Sequence, residues 1–180
     1  MKYLPNLLLV GGTGRNIGKT TFVERLVGMF NSELSLITLK TSMLLPGEEY
    51  LHGKHRLVKP DEFFLVEEKT DEGNKDSNRY LKAGASQSWF LSVGENALPQ
   101  AMAYFLDIVK EPGLIIAESN VIREIVVSGV FIMIKGDGEV KPQSVHQLEM
   151  ADTIIAANNP KAFDETIARI EVTAAGWHLM

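Results

Sequence analysis

The chain has 180 residues, 45% of them hydrophobic and 23% charged, with a formal net charge of −5 at pH 7 and no cysteine. That length suits one domain, that composition excludes a disordered or fibrous chain, and the acidic balance leaves no broad basic field for duplex nucleic acid. Without cysteine there is no disulfide, thiol catalysis or cysteine-rich zinc site, and the expected setting is a reducing cytoplasm.

Residues 7–10 are a continuous apolar run, Leu7-Leu8-Leu9-Val10, ending at Gly11-Gly12. The run is shorter than the ~7–15 apolar residues of an export segment and reads as a central parallel strand covered on both faces. A glycine-rich turn follows, then a helix. Its Phe22, Val23, Leu26, Val27 and Phe30 form one buried stripe, with Glu24 and Arg25 facing outward. Residues 34–39 supply a second strand. Residues 41–75 carry Pro46, Gly47, Gly53, Pro60 and Gly73 and one strand-like run at 63–66, so a mobile, lid-like excursion is expected there. Beyond it the pattern predicts a helix over 76–83, a strand over 89–93, and a helix over 96–110 with Leu98, Met102, Phe105 and Val109 inward. Strands follow over 114–117, 130–134 and 153–157. Residues 161–175 read as a closing helix, because Phe163, Ile167, Ile170 and Ala174 recur at helical spacing. No stretch approaches the ~18 apolar residues that cross a bilayer. Alternating strands and helices predict one α/β domain over 1–180, a mostly parallel twisted sheet flanked by helices.

The turn after the first strand holds the densest chemistry. Gly12, Thr13, Gly14, Arg15, Asn16, Ile17, Gly18, Lys19, Thr20 and Thr21 stand between strand and helix. Glycines let successive N–H groups converge on phosphate oxygens, and the helix adds unpaired N–H groups and its positive end. Lys19 then meets the terminal phosphates and Thr20 holds magnesium. Gly12 and Gly18 are separated by five residues, one more than in the common G-x4-G-K-[ST] loop.

In an open parallel sheet, ligands gather outside the carboxyl ends of the strands, which singles out polar residues just after them. Lys40 is either a charge opposite the γ-phosphate or a solvated lysine, and Asp76 is either a magnesium ligand or the N-cap of its helix. Glu118 ends an apolar run as a Walker B carboxylate does. Asn158 and Asn159 either recognise a base or make a capped strand-to-helix turn. Lys19, Lys40 and Glu118 are thus the catalytic candidates, and Thr20, Asp76 and Glu118 the metal set. His52 and His55 have a glycine between them and no third ligand nearby, which makes a poor metal pair, and His146 and His178 stand alone. Glu67, Glu68, Asp71 and Glu72 read as a solvated acidic edge, with discouraging strand addition as an alternative role.

Gly12 to Thr20, Lys40, and the block Lys75-Asp76-Ser77-Asn78-Arg79-Tyr80-Leu81-Lys82-Ala83-Gly84-Ala85 together resemble the adaptor protein B family of molybdopterin-guanine dinucleotide biosynthesis (MobB-like). The likeness is concentrated in the first half of the chain. Where that family has histidine after the strand-two lysine and Glu-Gly at the later carboxylate, this chain has Thr41 and Glu118-Ser119-Asn120. The loop, Lys40, Asp76 and Glu118 are also similar to dethiobiotin synthetase, in the P-loop NTPase class that includes the nitrogenase iron protein. These resemblances imply a P-loop NTPase fold, GTP or ATP with Mg2+ as cofactors, GTP favoured, and slow hydrolysis. They also imply a molybdenum-cofactor biosynthesis protein as partner, assisted in guanylation. An alternative is an ATP-dependent ligase or kinase of a small metabolite, with Ser119, Asn120 and Arg123 lining the acceptor pocket. A third reading is a nucleotide-dependent interaction module that docks through Val121, Ile122, Ile125, Val126 and Val127, residues that core packing or a sheet-edge strand claims first. Gly14 stands where dimer-bridging relatives carry a second lysine, so an obligatory sandwich dimer is not implied, although a homodimer stays open. Nucleic acid and membrane are not expected as partners.

Overall fold

Leu7 and Leu9 turn to one side of the first strand, Leu8 and Val10 to the other, and all four are buried. A strand apolar on both faces needs a layer on each side, and the chain supplies both. The computed structural model describes residues 1–32, 34–43, 59–109, 113–140 and 142–180; His52, His55 and the 44–58 part of the expected excursion lie outside them. In chain order the elements are β1 (Lys2–Gly12), α1 (Lys19–Phe30), β2 (Leu36–Met43), β3 (Phe63–Glu68), α2 (Asp76–Lys82), β4 (Gln87–Val93) and α3 (Leu98–Ile108). There follow β5 (Leu114–Glu118), β6 (Val126–Lys135), α4 (Pro142–Glu149), β7 (Thr153–Ala156), α5 (Pro160–Ile167), β8 (Ile170–Thr173) and β9 (Gly176–Leu179).

Seven strands form one sheet in the order β3-β4-β2-β5-β1-β6-β7. Every neighbouring pair is parallel except β3 with β4. The protein is therefore α/β with a mostly parallel sheet flanked by helices. On one face Leu98, Ala101, Met102 and Phe105 of α3 pack with Leu9, Leu39, Leu91 and Ala117. On the other, Phe22, Val23, Leu26 and Val27 of α1 share a core with Tyr80, Ile116, Phe163 and Trp177. Each fully buried side chain of this kind contributes ~1.5–3 kcal/mol. Strand β1 lies between β5 and β6, whereas the chain leaves it toward β2. That reversal opens a crevice at the carboxyl ends of β1, β2 and β5. Edge strand β3 carries Glu67, paired with Lys69, and Glu68, which accepts from Ser77 at 3.2 Å, so the acidic edge is partly tied inward.

One expectation is corrected. The closing helix stops at Ile167, and β8 pairs with β9 as an antiparallel hairpin that sets Val172 opposite Trp177. Ile170 and Ala174, four residues apart, fit both periods. The β-branched Ile170, Val172 and Thr173 and the turn at Gly176, φ 118°, decide for strand. Helix α4 went unanticipated because its buried residues include Ser144 and Gln147 while Val145 is exposed, which leaves little apolar period to detect. Ile122 and Val126 are buried and Val121 and Ile125 pack on the same core, which is the core-packing alternative for that stretch and not the docking patch. Among the described residues, no helix is long and apolar enough to cross a membrane.

Candidate functional site

The loop between β1 and α1 is built by residues that only its backbone path explains. Gly18 has φ 95°, the left-handed region that costs an ordinary residue ~1–2 kcal/mol, and serves as the N-cap of α1. A Cβ there would come within 3.0 Å of the Phe163 ring. At Gly12 a Cβ would stand 2.7 Å from Ile17 Cδ1 and 3.1 Å from the Ile134 carbonyl. The base of the loop is clamped from β5's exit: Asn120 Nδ2 donates to Gly12 O, and Gly12 N donates to Asn120 Oδ1, each at 2.9 Å. Thr13 N donates to Ile134 O at 3.0 Å, and Thr13 Oγ1 accepts from Gly136 N at 2.9 Å. Gly12, Thr13 and Gly14 are therefore the floor that shapes the loop. Arg15, Asn16, Ile17, Gly18, Lys19, Thr20 and Thr21 line a cleft of about 360 Å³ above it.

The opposite wall comes from β2, β5 and α2. Register sets Lys40 beside Glu118 and Glu118 beside Val10, so all three strand ends meet. Lys40 Nζ donates to Glu118 Oε1 and lies 2.7 Å from Asp76 Oδ2. Thr20 Oγ1 donates to Glu118 Oε2 at 3.0 Å, and the Tyr80 hydroxyl donates to the same oxygen. Glu118 is 2% exposed, yet three donors satisfy it, which is what a buried carboxylate requires. Burial works to lower the Lys40 ammonium, but the Glu118 and Asp76 charges outweigh it and hold it above the ordinary lysine value. Burial first, and then the Glu118 charge, push the Tyr80 phenol well above its usual value. Lys19 reaches back to donate to Gly14 O at 2.5 Å, and burial lowers its ammonium.

The sequence-based alternatives now separate. Lys40 is no solvated lysine. Asp76 is the first residue of α2; Lys75 holds the cap position and donates its N–H to Asn78 at 3.2 Å, so Asp76 is not the cap and its carboxylate is free to meet Lys40. Asn158, at φ 49°, lines the cleft and donates its N–H to Ile17 O at 3.2 Å. Asn159 is the N-cap of α5, accepting from Ala162 N at 3.1 Å, which is the capping alternative for that residue. Ser119 folds back on the N–H groups of Val121 and Ile122, Asn120 clamps Gly12, and Arg123 donates to Val126 O. None of these three lines the cleft. Glu24 does not face free solvent either: Arg79 grips it in two hydrogen bonds of 2.8 and 2.6 Å and joins the cleft wall.

Sequence reasoning passes over Tyr80 and Arg79 as site residues, and it sets Asn120 in an acceptor pocket rather than on the loop. The first two lay inside the quoted block, at four and three residues from Asp76, where one helical turn returns to the same face. No local signal marks Asn120 as the clamp on Gly12. Among the described residues no group of three or more His, Asp or Glu converges as a metal site, and His146 and His178 are outside the cleft. Comparison with protein-family models, curated proteins and solved structures finds no match to this chain. Chemically, the cleft combines the amino end of α1 with Arg15, Lys19, Lys40 and Arg79 around a buried carboxylate, an arrangement suited to a polyanion.

Proposed function

We propose that the protein binds a nucleoside triphosphate in this cleft, GTP favoured, and hydrolyses it slowly with magnesium, in a P-loop NTPase fold. The observation that carries this is the convergence of Lys19, Lys40 and the left-handed Gly18 at the amino end of α1 on one polar cleft. Backbone N–H groups there donate to phosphate oxygens without reorganisation, and two half-buried ammonium groups offset the charge that grows on the transferred phosphoryl. Thr20, Glu118 and Asp76 are hard oxygen donors and fit magnesium, with phosphate and water completing the shell, because the carboxylates alone are too few. When bound, that ion supplies charge neutralisation between the terminal phosphates. Lys19 needs only to leave Gly14 O to reach an incoming phosphate, and the burial that lowers its ammonium is offset by that anion.

The resemblance of the loop, Lys40 and the 75–85 block to the MobB-like adaptors supports guanine as the base and a role beside a molybdenum-cofactor biosynthesis protein. The ligase or kinase alternative draws no support from Ser119, Asn120 or Arg123, which are engaged elsewhere. The test is a titration of GTP, ATP, GDP and ADP, with and without magnesium, read as thermal stabilisation. A nucleotide at 100 times its dissociation constant adds ~2.7 kcal/mol to stability. Lys19→Ala is expected to abolish most of that gain while leaving the unliganded protein folded. If no triphosphate shifts the wild-type transition, the proposal is wrong; a larger shift with ATP than with GTP removes the guanine reading alone.

A further inference from the structure

Tyr80 is fully buried, yet its hydroxyl ends in the polar cleft wall rather than in the apolar core that holds its ring. Phenylalanine would fill the same core volume, so the oxygen is what needs an explanation. It donates to Glu118 Oε2, the oxygen that also accepts from Thr20, while Lys40 occupies Oε1. Phenol and hydroxyl thus meet on one carboxylate oxygen.

Two consequences follow from donor and acceptor counting. A carboxylate has about four acceptor positions, and three are taken by Tyr80, Thr20 and Lys40, which leaves Glu118 poorly placed to take a proton from an attacking water. Its remaining position serves the cation, and its other part is to orient the groups that face the cleft. The terminal torsion of a glutamate is soft, so its plane must be held from outside. Thr20 spends its single O–H on Glu118, and its lone pairs are thereby left for a cation or phosphate in the cleft.

We propose that Tyr80 is the positioning residue of this site: by fixing the plane of the Glu118 carboxylate it directs Thr20 and Lys40 toward the bound triphosphate and its divalent cation. The inference rests on the nucleotide reading above. It also ties α2, which carries Asp76 and Tyr80, to the ends of β2 and β5 through Lys40 and Glu118, so both walls of the cleft share one set of charges.

The test is Tyr80→Phe in the full chain, which removes one oxygen and keeps the ring. The expected result is a rise of about tenfold in the magnesium concentration that half-saturates GTP binding, the scale of one lost charge-assisted hydrogen bond, with a lower kcat. Magnesium-free GDP affinity stays as in wild type. Glu118→Gln shows the same loss, and adding Tyr80→Phe to it changes the magnesium dependence no further, because one ligand-orienting unit is already broken. A second readout does not depend on the variant's stability: in wild type labelled with 13Cζ-tyrosine, the Tyr80 signal moves on addition of magnesium and GTP. Unchanged magnesium dependence and kcat in Tyr80→Phe, or an unmoved Tyr80 signal at saturating nucleotide, overturns the positioning role while the nucleotide reading stands. A wild type that binds no triphosphate overturns both, and is told apart because it is silent before any substitution.

Discussion

Lys40→Met keeps an apolar stem of similar length and deletes the ammonium that faces Glu118 and Asp76. The sequence reading of Lys40 as a rim charge predicts little effect on folding, within the ~0.5 kcal/mol typical of surface changes. The structure predicts otherwise, because Glu118 is 2% exposed and cannot turn to water when its partner leaves. Stripping one partner from a buried ion pair costs ~3–5 kcal/mol. The Thr20 and Tyr80 hydroxyls still serve Glu118, and the burial penalty of Lys40 itself disappears, so the expected loss is ~2–4 kcal/mol. For a chain of this size each kcal/mol moves Tm by ~2–4 °C, which puts the drop at roughly 4–16 °C. The assay is calorimetric or chemical denaturation at pH 7 and fixed salt, with Lys40→Met, Glu118→Gln and the double variant compared. Neutralising Glu118 removes the stranded charge, so the double variant should be more stable than the sum of the single losses implies. A Tm within 1 °C of wild type for Lys40→Met, or strict additivity, would refute the pairing as a source of stability. The sign with pH follows from the raised Lys40 value. Its contribution is fully present below the ordinary lysine value of 10.5 and is lost as pH rises through the higher folded value, so the gap between wild type and Lys40→Met narrows only in strong alkali.

Gly18→Ala is expected to cost ~1–2 kcal/mol in stability from its φ of 95°, and more in triphosphate affinity as the new Cβ presses on Phe163. Gly28→Ala, inside α1 with open space at its Cβ, should instead stabilise by ~0.5–1 kcal/mol; equal effects at both positions would contradict the strained-loop account. Asn120→Ala removes both clamps on Gly12 and should weaken nucleotide binding at least as much as it lowers stability, ~1–2 kcal/mol, measured by isothermal titration beside denaturation. The raised Tyr80 phenol keeps its proton in the folded chain while the unfolded chain releases it near pH 10, so stability falls as pH climbs past 10, with a slope of up to ~1.4 kcal/mol per pH unit. Tyr80→Phe should flatten that alkaline limb; an unchanged limb would remove Tyr80 as its cause.

What the chain dictates by itself is local and periodic. Leu7-Leu8-Leu9-Val10 must be covered on both faces, the 22–30 stripe must be helical, and Gly12 to Thr20 must turn sharply between them, because apolar spacing and glycine's freedom act over a few residues. The same local rule misled at 170–179, where one apolar spacing serves two periods and pairing between β8 and β9 settles it. Helix α4, with Ser144 and Gln147 inward, was illegible for the converse reason: its buried side is partly polar, and Gln147 earns its burial by donating to the Asn120 carbonyl, a partner 27 residues away. In the cleft, residue type and position after a strand singled out Lys19, Lys40, Asp76 and Glu118. Their relations were decided only when the sheet order brought β2, β5 and β1 side by side. Whether Lys40 meets water or Glu118, whether Asp76 caps or pairs, and what Tyr80 does with its oxygen depend on register across strands some eighty residues apart in sequence. Charge and hydrogen bonding act over a few ångströms of space, and sequence separation carries no record of that distance until the chain has folded.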